Sequence, residues 1–389
     1  MAMNGSSSPA APRRWFAGAC LAVLAGLAQA CGSSRVPAST DARSASAAPV
    51  YPDTGWERIA DPTSVGYTRA GLDRVHSMLN GMNTTGMVVV VGGRVLLEHG
   101  DIDTLSYLAS ARKSVLSMLY GKYVANGTIR LDERLRDLGL DDRGEAGPLL
   151  PQEREATVEH LLMARSGVYH PASNPGDNLA DAPPRGSQKP GAYYLYSNWD
   201  FNALGTIFEQ KVGRGIYDAL ETDIARPIGM QDWNRAIHRR TGDTTRSIHL
   251  AYHMTLSTRD MARIGYLMLR DGQWRGTQVI PRDWVQRSVR PWTRVTDMNP
   301  PPLRNQRAGY GYLWWIWDGR EPRDVFDGSY SARGAYGQYI AVIPRLDMVV
   351  AHKVAVPPEK NVSIAEFERV LDALVAARCA KVPASTVCP

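Results

Sequence analysis

The run Met87-Val-Val-Val-Val91, Gly92-Gly93, Arg94-Val-Leu-Leu-Glu98 sets two β-rich segments across a Gly-Gly turn, which is a hairpin pattern. Strand-like sequence returns only at 309–317, 339–343 and 348–352, the last two joined by the turn Pro344-Arg-Leu-Asp347. Between these blocks, helical periodicity dominates from Ser110 to about Gly229, broken by a Pro/Gly/Asn-rich loop over 167–191. Strands this far apart share a sheet only if the intervening chain folds as an insertion upon it. An apolar helical face (Leu72, Val75, Met78, Leu79) precedes the hairpin, and another (Phe367, Leu371, Leu374, Val375) closes the chain. The expected class is α+β: an antiparallel sheet flanked by helices, with a mostly helical second domain inserted over about 115–250.

Chemistry enters at Ser110-Ala-Arg-Lys113, which opens a helical pattern ending at Gly127. Residues three apart share a helix face, so the Lys113 amine is expected beside the Ser110 hydroxyl. A serine alcohol attacks carbonyls well only when a neighbouring base takes its proton. A lysine serves once burial and nearby positive charge lower its pKa. Taken alone, the tetrad also fits an N-cap serine followed by a solvated lysine.

Two further segments bear on that choice. In Tyr193-Tyr-Leu-Tyr-Ser-Asn198, Tyr196 and Asn198 project alike from extended backbone. A phenolate at Tyr196 would be favoured beside an ammonium and could relay a proton, and Asn198 offers a donor and an acceptor to a substrate amide. The Gly-containing stretch Ser329-Tyr-Ser-Ala-Arg-Gly-Ala-Tyr-Gly-Gln338 precedes a strand and suits backbone N–H donation to an oxyanion, or a simple turn. Of Trp314, Trp315 and Trp317, some belong in the core and one at a pocket. Tyr169 and His170, at the mouth of the long loop, are expected at the surface.

The net charge of +6 is mild and Arg is interleaved with acids, so no nucleic-acid partner is expected. Arg13-Arg14, the apolar run 15–27 and Ala28-Gln-Ala30 read as a signal peptide over 1–30, with partial likeness to a twin-arginine export signal. Residues 31–50 read as a flexible tether, and folded sequence begins at 51. Cys379 and Cys388 are candidates for a disulfide. Cys31 is then left over, fitting either lipid attachment at the membrane or a free thiol, and the lipid anchor is favoured. Exported, periplasmic or envelope-anchored placement follows. His249 and His253 are four apart without HExxH or Cys pairs, so no metal site is expected.

Together these motifs resemble the serine β-lactamase and penicillin-recognising enzyme superfamily, in its class C-like branch. That branch also holds D,D-peptidases, family VIII-type esterases and 6-aminohexanoate-dimer hydrolases. Ser110-Ala-Arg-Lys113 is similar to the nucleophile motif and Tyr196-Ser-Asn198 to the Tyr-x-Asn motif. Leu161-Leu-Met-Ala-Arg-Ser-Gly167, Ser257-Thr-Arg-Asp-Met-Ala-Arg263 with Gly272-Gln-Trp-Arg-Gly276, and Gly337-Gln338 through Pro344 resemble its supporting segments.

The resemblance implies a β-lactamase/transpeptidase-like domain over 51–389, needing no cofactor and acting on a small-molecule ester or amide. It implies a Ser110 acyl-enzyme, proton handling by Lys113 and Tyr196, and an oxyanion hole from the N–H groups of Ser110 and Ala332. One motif departs from the family. Where the third motif carries Lys or His, any residue, then Gly, alignment from Pro344 gives Ser329-Tyr330-Ser331, and a second register puts Tyr336 at the His. Arg333 is the expected substitute cation. Hydrolysis of an ester or small amide is therefore expected ahead of the alternative, a β-lactamase or D,D-carboxypeptidase-type penicillin-binding protein.

Overall fold

A computed structural model of the protein describes residues 49–318, 324–355 and 360–379. The expected signal segment, Cys31, Cys388 and the tether up to residue 48 lie outside the described residues. Thr68 opens helix α1 (Arg69–Asn80) by accepting the Gly71 N–H at 3.1 Å. Strands β1 (Gly86–Val91) and β2 (Arg94–Gly100) form the hairpin, turning through Gly92 and Gly93 at φ 60° and 83°. Helices α2 (Arg112–Ala125), α3 (Asn198–Val212) and α4 (Thr258–Leu269) follow. The remaining main-sheet strands are β3 (Ala308–Tyr310), β4 (Trp315–Trp317), β5 (Tyr330–Gly334), β6 (Gln338–Ile343) and β7 (Met348–Lys353). Helix α5 (Ile364–Cys379) closes the described chain.

All seven strands join in one antiparallel sheet, ordered β2-β1-β7-β6-β5-β4-β3. The early hairpin therefore pairs with the last strand, Val89 opposite Val350. The 309–317 run, which reads as one strand, folds back on itself between β3 and β4. Gly311 sits at that bend, where a Cβ would come within 2.3 Å of the Ser288 carbonyl oxygen.

Side chains along β1, β6 and β7 alternate between two apolar cores. Val88, Val90, Ile340, Val342, Val349 and Ala351 share one core with α2, α3 and α4. Met87, Val89, Ala341, Ile343, Met348 and Val350 face the other way, toward α1 and α5. Burial on both faces is why these strands read as unbroken apolar runs. At the crossing of α1 and α5, a Cβ on Gly71 would lie 2.6 Å from Ala377 Cα, so only glycine permits that approach.

Helix α2 is buried from Arg112 through Gly121 and belongs to the core shared by sheet and helical layer. The helical insertion is thus continuous with the sheet domain rather than a detached body. The 167–191 loop is held close to the body, and its opening residues are interior, contrary to the expectation of a surface position. Tyr169 is buried, and the His170 ring bridges the carbonyls of Pro171 (2.9 Å) and Gly147 (3.0 Å).

Candidate active site

Ser110 lies in a single 3-10 turn (Ala109–Ala111) that runs straight into α2. Ala109 immediately before it has φ 47°, a left-handed conformation unfavourable for a residue with a Cβ, so the turn is locally strained beside the alcohol. One turn on, Lys113 Nζ is within hydrogen-bond distance of Ser110 Oγ (2.9 Å), Tyr196 OH (2.6 Å) and Asn198 Oδ1 (2.7 Å). The amine also lies over the rings of Tyr196 (4.4 Å) and Phe201 (4.6 Å). Lys113 is thus a buried hub, and the solvated-lysine alternative does not describe it.

Burial holds the Lys113 amine well below the usual lysine range, and the neighbouring Arg112 adds to the effect, while Asp177 opposes it. Burial also pushes the Tyr196 phenol up to about 12, against the lowering influence of Ser110 and Arg112. The phenolate expected from the sequence is therefore replaced by a neutral phenol, because desolvation of the ring outweighs its positive neighbours. Asn198 differs from expectation too. Its Oδ1 faces Lys113 and its Nδ2 donates to the Pro175 carbonyl (2.9 Å), so it positions the amine instead of meeting a substrate amide.

A cleft of about 560 Å³ opens at Ser110. One wall is Gly176, Asp177 and Asn178 from the long loop; the other is Arg333, Gly334, Ala335 and Tyr336, with Gln306 and Trp315 beside Tyr196. Sequence reasoning passed over Asp177. Its carboxylate accepts the Asn198 N–H (2.9 Å), while Asn178 N–H donates to the Tyr196 carbonyl (3.0 Å), so the loop is tied to the Tyr-x-Asn segment. The Asn-Pro-Gly-Asp turn at 174–177 was the available signal. Among the three tryptophans, Trp314 and Trp317 are buried and Trp315 lines the cleft. His249 and His253 take separate roles, His249 between Thr206 Oγ1 (3.0 Å) and the Asp141 carbonyl (3.1 Å), and His253 on Tyr107 OH (3.0 Å).

The sheet edge corrects the oxyanion assignment. Trp317 N–H donates to the Ser329 carbonyl (2.8 Å), so Ser329 faces β4, and by alternation so do Ser331 and Arg333. Ala332 faces β6, opposite Ile340, and does not line the cleft. The pairing of β4 stops at Ser331, which leaves the edge open from Arg333 onward. Gly334 lies directly against the nucleophile turn, where a Cβ would be 2.6 Å from Leu108 O and 3.1 Å from Ala111 N. This contact puts Gly334, and not Ser331, at the point where the strand lies against the nucleophile turn, with Ala332 two residues before it and Ala335 opening the turn that follows.

Arg333 does line the cleft, but its charge is already matched. Nη2 is 3.5 Å from Glu368 Oε1, Nε donates to Ser331 Oγ (3.0 Å), and Nη1 donates to Gln306 Oε1 (3.4 Å). The guanidinium lies over the rings of Trp315 (5.2 Å) and Trp317 (5.4 Å), and burial lowers its pKa to about 10.

A buried amine against a serine alcohol, with a neutral phenol and an amide completing its contacts, defines the class as a serine hydrolase of the Ser-x-x-Lys type. The chain belongs to the beta-lactamase family, whose pattern matches residues 73–371. Solved structures share its fold at low identity. A beta-lactamase (Mb2281c) from Mycobacterium bovis is 19% identical, with 78% of this chain and 99% of that one covered and a TM-score of 0.55. Simvastatin synthase (LovD) from Aspergillus terreus is 18% identical (82% and 99% covered, TM-score 0.59). EstCE1, a hydrolase with promiscuous acyltransferase activity, is 15% identical (80% and 99% covered, TM-score 0.56).

Proposed function

We propose that this protein is an exported hydrolase that cleaves an ester or small amide through a Ser110 acyl-enzyme. The observation that carries the reading is the buried Lys113 amine 2.9 Å from Ser110 Oγ. A neutral amine has two hydrogens and one lone pair. With the hydrogens directed at Tyr196 OH and Asn198 Oδ1, the lone pair faces Ser110 and accepts its proton as Oγ attacks the carbonyl. The tetrahedral oxyanion would lie between the N–H groups of Ser110 and Ala335. Tyr196, accepting from the amine, keeps its own O–H free to protonate the leaving group, and the lysinium then returns a proton to the phenol. Water repeats the sequence in reverse and releases Ser110.

The state of the third motif favours an ester or amide over a β-lactam or D,D-peptide. Ala332 holds the cation's place, and Arg333 is matched by Glu368, so among the described cleft residues no free cation awaits a carboxylate. The acyl-transfer chemistry named for EstCE1 agrees with this preference. The test uses 4-nitrophenyl acetate, a fluorophosphonate probe and intact-mass detection of the acyl-enzyme. Wild type is expected to turn over and label, and Ser110→Ala to do neither; undiminished turnover by Ser110→Ala would refute the reading. Residues 1–30 read as an export signal and Cys31 as a lipid-anchored cysteine, both supported by the Arg-Arg, apolar and Ala-x-Ala series ahead of Cys31. Palmitate labelling of wild type, absent from Cys31→Ser, is the expected result.

A further inference from the structure

The turn that follows Gly334 carries a residue whose conformation the fold does not explain. Tyr336 is held at φ 67°, in the left-handed region, which is strained for a bulky side chain and is normally left to glycine. The turn already contains a glycine, Gly337, at φ 101°. Such strain also occurs at Ala164, Asp271, Arg275, Leu313 and Asp347, but of these positions only Tyr336 lines the cleft, where strain points to function. The Tyr336 ring lines the cleft together with Ser110 and is half-buried. Among the described residues it has neither a hydrogen-bond nor a ring partner.

Its neighbours in the cleft are all engaged. Tyr196 is bound to Lys113, and Trp315 stacks on Tyr196 (5.8 Å between centroids) and takes the Arg333 guanidinium as well. Tyr339 donates to the Val362 carbonyl (2.9 Å) and stacks on Phe367 (4.5 Å). Tyr336 is therefore the one cleft aromatic, among those described, with its ring still unmatched.

Position decides which part of a substrate it meets. The leaving-group oxygen must face Lys113 and Tyr196, which supply its proton. Tyr336 follows Ala335 in the turn beyond the open strand edge, on the wall across from Gly176–Asn178, and is assigned to the acyl part. Arg333, the cation on that wall, is matched by Glu368.

Resting on the acyl-enzyme reading above, we propose that the preferred substrates are esters with an uncharged acyl group bearing a planar apolar ring, and that Tyr336 is the side chain that selects them. The contact is ring against ring, with the phenol oxygen dispensable.

The test compares kcat/KM for 4-nitrophenyl acetate, phenylacetate and hemisuccinate, each divided by its hydroxide-catalysed rate. Wild type is expected to favour phenylacetate over acetate by at least about tenfold and to disfavour hemisuccinate. Tyr336→Phe should keep that ratio. Tyr336→Gly should bring it near one through KM rather than kcat, with no fall in melting temperature, because glycine accepts this φ without strain. A flat ratio in wild type, a preference for hemisuccinate, or a ratio unchanged in Tyr336→Gly would overturn the proposal while leaving a Ser110-dependent hydrolase intact. Loss of acetate turnover together with a lowered melting temperature in Tyr336→Gly would also overturn it, by making the residue a structural support. Persistence of all three activities in Ser110→Ala would instead remove the reading on which it rests.

Discussion

Replacing Gly334 by alanine probes the contact between the sheet edge and the nucleophile turn most directly. The added methyl would fall 2.6 Å from the Leu108 carbonyl oxygen and 3.1 Å from Ala111 N. Carbon and oxygen approach each other to about 3.3 Å without repulsion, so the strand or the turn must retreat by about 0.7 Å. Neither partner is a flexible side-chain tip: both are backbone, and Ser110 lies between Leu108 and Ala111. Overpacking of this kind costs about 1–3 kcal/mol of stability. A displacement approaching 1 Å in the reacting geometry costs up to about 100-fold in rate. The expected outcome for Gly334→Ala is a kcat lower by about 10- to 100-fold, a KM changed by less than about threefold, and a melting temperature lowered by several degrees. Gly55→Ala is the matched control, since a Cβ there meets nothing within 4 Å, and it should leave both quantities unchanged. Steady-state hydrolysis of 4-nitrophenyl acetate and a thermal melt suffice. If Gly334→Ala matched wild type in both measurements, the strand would not abut the turn, and the placement of Ala335 over the carbonyl would be wrong.

Three further outcomes are expected. The rate should fall on the acid side as the Lys113 amine gains a proton. Asp177→Asn removes a charge that raises the Lys113 pKa and should move that limb to lower pH, whereas Arg112→Gln removes one that lowers it and should move the limb upward; pH–rate profiles showing shifts of the same sign would contradict the electrostatics. Tyr196→Phe should lower kcat by about 10²- to 10³-fold without unfolding the protein, and because the phenol titrates near 12, wild-type activity should show no loss attributable to Tyr196 up to pH 10. His352 is fully buried, with its pKa pushed down to about 4 by burial from an ordinary 6.5. Between those values the unfolded chain binds a proton that the native state resists, so the stability His352 contributes is essentially complete by about pH 7 and falls by about 3 kcal/mol on going to pH 4. Urea titrations at pH 7 and 4 should show that loss in wild type and a smaller one in His352→Asn.

What could be read in the sequence, and what could not, follows the range of the interactions involved. β-Branched runs, a Gly-Gly turn and helical apolar faces are local, so the β1–β2 hairpin, α1 and α5 were legible in the sequence. The Ser110–Lys113 pair was legible because a single helix turn sets it. The 309–317 run reads as continuous because one partner of its bend lies outside it, the Ser288 carbonyl that accepts the Tyr312 N–H (2.9 Å). The state of Tyr196 differs from the sequence expectation because the ammonium beside the phenol is weighed there without the phenol's own burial, which is the dominant influence on it. Asp177 was passed over because it lies in a long loop, where spacing carries no information about what the backbone meets.

The third motif shows the same limit at the point where it bears on substrate. Counting back from Pro344 assumes that the hairpin between β5 and β6 has a fixed length, and on that assumption Ser331 becomes the motif glycine and Ala332 the oxyanion donor. Hairpin length is not fixed by the chemistry of the site; what is fixed is that some residue must let the strand lie against the nucleophile turn without a Cβ. Only Gly334 meets that condition on β5, and it lies three residues beyond the position reached by counting. Once the steric requirement sets the register, the exchange of a cation for Ala332 and the presentation of Tyr336 follow together, since both are neighbours of the same glycine. A substitution at Gly334 should therefore disturb rate, and one at Tyr336 selectivity, although the two residues are separated by Ala335 alone.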